Sequence, residues 1–412
     1  MASEGHAMTT ALPTISEAPR LESATAPKRL SILGATGSIG RSTLDLVGRN
    51  PDDFQIVALT AQSNVRLLAE QAITHRARVA VIGDGSLFRD LQAALQGTGV
   101  RAAAGRSALV EAASEPADCV MAAIVGAAGL EPTFAAVKQG CRIALANKEC
   151  LVSAGQVFVD AVDHYGAELL PVDSEHSAAF QALAGSDITA VEKIVLTASG
   201  GPFRTWTQDA LFRATPEQAL KHPNWSMGAK ISIDCATMMN KGLELIEAHH
   251  LFHVGIDNLD VIVHPQSVVH CLVTFRDGSV LAQMAPPDMR TPIAVALAWP
   301  RRMTTPTERL DLAKLASLTF EAPDETRFPA LALARAAMER GYTAPAVLNA
   351  ANEVAVAAFL ERRITFPAIT RLVASVLDAA ERQNVIKAAH SLSDILAIDS
   401  FARRLAEQRL HR

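Results

Sequence analysis

The feature that most restricts how this chain can fold is a short apolar segment, Arg29 to Leu33, which runs into Gly34-Ala35-Thr36-Gly37-Ser38-Ile39-Gly40 and then into a helical stretch ending near Arg49. Strand, glycine-rich turn and helix in that order gather backbone N–H groups and a helix N-terminus at one point, which suits a phosphate. The spacing G-x-x-G-x-x-G is a variant of the dinucleotide fingerprint, and a tight turn that binds nothing is its plain alternative. A second strand, Phe54 to Leu59, leads into Thr60-Ala61-Gln62-Ser63-Asn64, which holds no acid. A carboxylate there would accept from the ribose 2′-hydroxyl of NAD and repel a 2′-phosphate. Its absence favours NADP, with Arg66 as a candidate phosphate partner.

Further strands at Val79 to Ile82, Cys119 to Val125, Ile143 to Ala146 and Glu168 to Val172 alternate with helices such as Val65 to Arg76 and Leu130 to Lys138. This alternation predicts an α/β fold whose N-terminal part is a Rossmann-like dinucleotide-binding domain, with ligands beyond the carboxyl ends of its strands. Strands at Lys193 to Thr197, Val261 to Val263, Val268 to Phe275 and Val280 to Met284, the last two joined across Arg276-Asp277-Gly278, predict a second, α+β catalytic domain. After Trp299-Pro300 the chain is rich in Pro and Thr and reads as a linker. Beyond it, Ile369, Leu372, Val373, Val376 and Leu377 keep helical spacing, so the end of the chain is expected to form a helix bundle in which no chemistry is legible. The expected boundaries are a disordered tail at 1–28, a dinucleotide domain at 29–172, a catalytic domain at 173–299, a linker at 300–325 and a helical domain at 326–412.

Composition removes several classes of function. The formal charge of −5 comes without a dense basic block, and aromatic residues are only 5 %, so neither nucleic acid nor a polybasic membrane contact is expected. No apolar run approaches the roughly 18 residues of a membrane helix. The five cysteines form no C-x-x-C pair, which favours reduced thiols in the cytoplasm over a disulfide framework or a zinc site. The first 28 residues lack the features of a targeting segment.

The chemistry is concentrated in a few stretches. In Leu169-Leu170-Pro171-Val172-Asp173-Ser174-Glu175-His176, a strand running through to Glu175 would place Asp173 and Glu175 on one face, where two carboxylates call for a divalent cation; a helix N-cap at Asp173 or Ser174 is the alternative. Ala146-Asn147-Lys148-Glu149 ends another strand. Ser199-Gly200-Gly201-Pro202 can turn backbone N–H groups toward an anion, and His222-Pro223-Asn224-Trp225-Ser226-Met227-Gly228 reads as a lid loop. On a helix, Asn240, Lys241 and Glu244 share a face. Glu244 would complete an oxygen site with Asp173 and Glu175, suited to Mg²⁺ or Mn²⁺ rather than zinc; a solvated Lys–Glu pair is the alternative. His264 and His270 are read as scaffold, since no metal set completes around them.

Taken together, Gly34-Ala-Thr-Gly-Ser-Ile-Gly40, Ala146-Asn-Lys-Glu149, Pro171-Val-Asp-Ser-Glu-His176, Ser199-Gly-Gly-Pro-Phe203, His222-Pro-Asn-Trp-Ser-Met-Gly228, Met238-Met-Asn-Lys-Gly-Leu-Glu244 and His264-Pro-Gln-Ser267 resemble, in order, the motifs of the 1-deoxy-D-xylulose 5-phosphate reductoisomerase family. The resemblance implies an NADPH-dependent, divalent-metal enzyme of non-mevalonate isoprenoid synthesis, a homodimer that converts 1-deoxy-D-xylulose 5-phosphate to 2-C-methyl-D-erythritol 4-phosphate. It places metal ligation at Asp173, Glu175 and Glu244, with Co²⁺ a third candidate ion. NADPH would lie against Thr36, Gly37, Ser38, Ile39, Gln62, Ser63, Asn64, Asn147, Glu149 and Gly228. The sugar phosphate would meet Lys148, Ser174, Glu175, Ser199, His222, Cys235, Asn240, Lys241 and Glu244, with Lys148, Glu175 and His222 as catalytic groups and Trp225 on the flap. Cys235 and Cys150 replace serines usual in the family, which weakens a phosphate donor at Cys235, and Ser63 stands where many members place Lys or Arg. A metal-free NAD(P) dehydrogenase and a non-catalytic dinucleotide sensor are the rival readings.

Overall fold

A computed structural model describes residues 26–225 and 227–410. The expected N-terminal tail lies, up to residue 25, outside the described residues, as does Ser226 of the lid loop. The first seven strands are β1 (Lys28–Leu33), β2 (Phe54–Ala61), β3 (Val79–Ile82), β4 (Arg101–Ala104), β5 (Cys119–Ala122), β6 (Arg142–Leu145) and β7 (Glu168–Pro171). They form one parallel sheet in the order β4-β3-β2-β1-β5-β6-β7. Leu30, Ser31, Ile32 and Leu33 are all fully buried, because helices cover both faces of the sheet. Full burial of each large apolar side chain contributes about 1.5–3 kcal/mol, and truncating one to Ala costs about 2–5 kcal/mol. β4 was not legible in the sequence: Arg101-Ala102-Ala103-Ala104 has no β-branched residue, and pairing with β3 makes it a strand.

Strand order turns at β1, which lies between β2 and β5, so the carboxyl ends of β1 and β5 open a crevice there. The glycine turn follows β1 at that point. Gly34 has φ +91°, and a Cβ on it would fall 2.5 Å from the Ala123 carbonyl oxygen at the end of β5. A Cβ at Gly40 would fall 2.5 Å from the Ala35 Cα, so only glycine lets the helix Ser38–Arg49 press against the turn. That helix buries Thr43, Leu44, Leu46 and Val47 toward the core.

A second sheet contains β8 (Val191–Ala198), β9 (Leu259–Val263), β10 (Val269–Phe275) and β11 (Val280–Met284) in the order β11-β10-β8-β9. β10 runs antiparallel to β11 and β8, whereas β8 and β9 are parallel. The helix Ser174–Leu183 packs against β10 and β11, and the helix Met239–Phe252 lies between the helices Glu149–Tyr165 and Ala330–Arg340. Between residues 300 and 325 the chain is largely irregular, with a four-residue helix at Leu312–Leu315 and a bridge from Glu321 to Val263. Helices Ala330–Arg340, Ala344–Leu360, Phe366–Arg382 and Leu392–Leu410 follow, and the predicted stripe from Ile369 to Leu377 is buried.

Candidate active site

The glycine turn, the ends of β5, β6 and β7, and the second sheet meet in one cleft of about 920 Å³. At one end lie Gly37, Ser38 and Ile39, at the N-terminus of the helix Ser38–Arg49, whose first N–H groups have no partner within the helix. Beside them are Ala123, Ile124 and Val125 of the loop after β5, and Val125 is 66 % exposed. Gly228 caps the helix Ala229–Thr237, whose first turn forms the opposite wall. Below it the buried Glu149 accepts from Lys230 Nζ at 2.8 Å, and Lys230 also pairs with Asp234 at 2.9 Å. Burial would raise the Glu149 carboxyl, but Lys230 outweighs it and lowers it.

The other end of the cleft holds the acidic cluster. Asp173 and Glu175 are not on a strand: β7 stops at Pro171, Asp173 is the N-cap of the helix Ser174–Leu183, and Glu175 lies in its first turn. The capping alternative is thus realised together with the acid pair, because the Asp173 Oδ1 that accepts from Ser174 N at 3.0 Å leaves Oδ2 facing Lys148. Asp173, Glu175 and Glu244 each offer an oxygen within 4.8 Å of the others. Nor is Glu244 part of a solvated pair, since every residue from Met239 to Ala248 is buried. A left-handed residue, Met238 at φ +65°, ends one helix and starts the next, which turns this polar face inward.

Two ammonium groups stand among these acids. Lys148 Nζ bonds Asn240 Oδ1 at 2.8 Å and Glu244 Oε1 at 3.2 Å, and it pairs closely with Asp173. Lys241 Nζ bonds Glu175 Oε1 at 2.7 Å and pairs closely with Glu244. Burial would lower Lys148, but Asp173 and Glu244 hold it well above the ordinary lysine value. Burial, then the neighbouring Glu175, raises Glu244 to about 7. The cluster is therefore short of positive charge, and three converging carboxylate oxygens fit a hard divalent cation.

Beneath it His176 reaches the Glu244 carbonyl oxygen with Nε2 at 2.9 Å, while its Nδ1 lies 3.3 Å from Glu247 Oε2. Burial raises the Glu247 carboxyl well above its ordinary value and lowers His176 to about 4. Neither His176 nor Glu247 is legible as functional in the sequence, because nothing local distinguishes them from other helical polar residues.

On the second sheet, the loop after β8 brings Ser199 to His222, with Oγ and Nε2 2.8 Å apart. His222 Nδ1 accepts from Asn224 N at 3.2 Å and Trp225 N at 3.1 Å, so the imidazole proton is on Nε2 and is donated to Ser199. Ser199 Oγ also accepts from Gly201 N at 3.1 Å, which leaves its own proton for a cleft ligand. Burial lowers His222 to about 4, so this pair is neutral at pH 7. Cys235 and Ser174 line the cleft as well. His270, expected as scaffold, is buried with Nε2 donating to the Ala285 carbonyl at 3.1 Å, and it also lines the cleft. His264, bonded to Thr319 O at 2.9 Å, is scaffold.

Some expected residues do not line the cleft. Thr36 lies in the turn, and Gln62, Ser63 and Asn64 are exposed at the end of β2, where Asn64 caps the helix Val65–Thr74. Asn147 is buried as a brace, with Nδ2 on Gly126 O at 3.2 Å and Oδ1 accepting from Glu149 N at 3.0 Å. Glu244 has no exposed surface and sits under Asn240 and the two lysines.

A glycine turn of the dinucleotide-binding kind and a three-carboxylate cluster sharing one cleft fit a dinucleotide-dependent, divalent-metal enzyme. Family models for 1-deoxy-D-xylulose 5-phosphate reductoisomerase match residues 30–155, its C-terminal domain 169–252, and the DXP reductoisomerase C-terminal domain 284–405. The chain is 56 % identical over 381 residues to the 1-deoxy-D-xylulose 5-phosphate reductoisomerase of Rhodospirillum centenum, covering 92 % of this chain and 94 % of that protein. It is 55 % identical over 377 residues to that of Zymomonas mobilis, covering 92 % and 96 %. The solved Zymomonas mobilis enzyme in complex with NADPH superposes with a TM-score of 0.87 at 53 % identity, covering 93 % of this chain and 99 % of that one. A DOX-P reductoisomerase in complex with NADPH, fosmidomycin and magnesium superposes with a TM-score of 0.90 at 44 % identity, covering 93 % and 98 %. The chain belongs to the 1-deoxy-D-xylulose 5-phosphate reductoisomerase family.

Proposed function

We propose that the cleft isomerises and reduces 1-deoxy-D-xylulose 5-phosphate to 2-C-methyl-D-erythritol 4-phosphate, using NADPH and a divalent metal. The observation that carries this reading is that one continuous cleft joins the glycine turn to the acid–lysine cluster. A metal-free dehydrogenase or a dinucleotide sensor would leave that buried cluster without a role.

Asp173, Glu175 and Glu244 would hold Mg²⁺, Mn²⁺ or Co²⁺, which supplies Lewis-acid stabilisation of charge on a substrate carbonyl oxygen. NADPH supplies hydride; Gly37, Ser38 and Ile39 would receive its phosphates, with Glu149 and Gly228 on the opposite wall and Thr36, Gln62, Ser63, Asn64 and Asn147 shaping the surrounding turns. Moving a carbon–carbon bond beside a carbonyl develops negative charge on oxygen, and Lys148, buried and held cationic, stabilises it. Glu175, whose Oε2 accepts from Ser174 Oγ at 2.6 Å, is the group placed to move a substrate proton. Ser199 offers its free hydroxyl proton to the substrate phosphate, and Cys235 lines the same cleft. Lys241 uses two of its three N–H donors on Glu175 and Glu244, so the third is available to a substrate oxygen. Asn240 orients Lys148, and His222 ties Ser199 to the loop carrying Trp225, which closes the cleft to water.

We infer a homodimer built on the free edge of β11, where Val280 and Leu281 are about half exposed at 50 % and 48 %. A cytoplasmic location is supported by five cysteines that are all unpaired, and no helix among the described residues is long and apolar enough to cross a membrane. The test is NADPH absorbance in the presence of 1-deoxy-D-xylulose 5-phosphate, with Mg²⁺ or Mn²⁺ and then with chelator. Oxidation requiring both substrate and metal supports the reading; none in either condition, from folded protein that binds NADPH, overturns it.

A further inference from the structure

The loop after β5 carries Val125 into the cleft, and a residue of the C-terminal bundle grips that loop from behind. Glu353, on the helix Ala344–Leu360, accepts from Ala127 N at 3.2 Å with Oε1. The turn is fitted to it: Gly126 has φ +77°, and a Cβ there would come within 3.0 Å of the same oxygen. The carboxylate is itself fixed, with Asn349 Nδ2 on Oε1 at 3.0 Å and Arg403 on Oε2 at 2.6 Å. Arg403 is held in turn by Asp399 at 2.7 Å. From the front, Asn147 Nδ2 holds the Gly126 carbonyl at 3.2 Å. The turn Gly126–Ala127 is thus clamped between the dinucleotide sheet and the bundle.

We propose that Glu353 is a positioning residue for the cofactor: through Ala127 it fixes the wall formed by Ile124 and Val125 against which the dinucleotide lies. The inference rests on the reading that this end of the cleft takes NADPH. The bundle accordingly takes part in the site instead of only covering the core. A neighbouring contact runs the same way, with Asn352 Nδ2 donating to Asp234 Oδ1 at 2.7 Å, which steadies the helix that forms the opposite wall. The Asp173–Glu175–Glu244 cluster receives no direct hydrogen bond from Glu353. Cofactor affinity and metal affinity should therefore separate when Glu353 is changed.

The test uses full-length E353A and E353Q with a direct NADPH titration by fluorescence, Mn²⁺ binding by electron paramagnetic resonance, and steady-state kinetics. E353A is expected to raise the NADPH dissociation constant and KM about 10-fold, the scale of one lost charge-assisted hydrogen bond. Mn²⁺ affinity, KM for the sugar phosphate and kcat at saturating NADPH should stay within about 3-fold. E353Q keeps an oxygen acceptor for Ala127 and should recover most of the NADPH affinity. A127P removes the same N–H from the other partner, at the first residue of a short helical turn, and puts its ring Cδ where that N–H met Glu353 Oε1. It should raise the NADPH dissociation constant at least as much as E353A, because it removes the donor and pushes the Glu353 carboxylate off the turn.

Unchanged NADPH affinity in E353A and A127P overturns the proposal. So does a parallel fall in NADPH affinity, Mn²⁺ affinity and thermal stability, which would make Glu353 a structural residue only. Because NADPH binding is read directly, this outcome is independent of whether wild-type protein turns over the sugar phosphate.

Discussion

Glu244→Gln should make the metal-free protein more stable at pH 8 while removing its response to metal. The reasoning starts from the Glu244 carboxyl, raised from its usual 4.5 to about 7 by burial and then by Glu175. An unfolded chain releases this proton near 4.5 and the folded, metal-free chain only near 7, so between these values the unfolded state binds fewer protons. Stability therefore falls as pH rises through that window and is flat above it. At about 1.4 kcal/mol per unit, the loss reaches about 3 kcal/mol. Glutamine has nearly the same shape, carries no charge and escapes this cost. Metal binding reverses the order at 1,000-fold excess over Kd, where the wild-type carboxylates gain RT ln(1 + [L]/Kd), about 4.1 kcal/mol, and the variant lacks one ligand.

The assay is urea denaturation of chelator-treated wild type and E244Q at pH 5 and pH 8, repeated at pH 8 with Mn²⁺. The variant should exceed wild type at pH 8 without metal, match it within about 1 kcal/mol at pH 5, and gain little from Mn²⁺. Its kcat/KM should fall by about 10³. A metal-free variant less stable than wild type at pH 8, or one that still gains the wild-type increment from Mn²⁺, would refute the argument.

Lys148→Met removes one of two ammonium groups from the acid cluster and should destabilise the metal-free protein by about 3–5 kcal/mol; equal denaturation midpoints for variant and wild type would contradict it. Cys235→Ser replaces a half-buried thiol, which desolvation keeps protonated, with a stronger donor at the cleft, and should lower KM for the sugar phosphate about 3-fold with KM for NADPH unchanged. Burial, then His249 and His253, lowers His250 to about 4. The unfolded chain takes up a proton near 6.5 that the folded chain refuses until about 4, so stability falls as pH drops through that window, by up to about 3 kcal/mol. His250→Asn should flatten that fall in urea denaturation between pH 7 and pH 4, and identical slopes would count against the assignment.

Much of this was written locally in the chain. The turn at Gly34 needs a positive φ, the helix after it needs a residue without Cβ at Gly40, and the apolar runs that make the parallel sheet lie within a few residues of their turns. The acid spacing around Ser174 and the helical spacing of Asn240 and Glu244 were equally plain, because both follow from the backbone period. The sequence period could not say that Asp173 caps a helix instead of ending a strand, since both conformations accept Asp-Ser-Glu there. It could not find the strand Arg101–Ala104, which exists only because β3 offers it a partner. Nor could it show that Lys148 meets Asn240 across 92 residues, that His222 directs its proton to Ser199, that His270 faces the cleft, or that Glu353 reaches Ala127 across 226 residues. Backbone preference and hydrophobic period act over a turn or two of chain, so the sequence alone determines the elements and the kinds of side chain at their ends. Which of those ends converge, and hence which charges must share one buried site, is decided only when the two sheets and the bundle pack together.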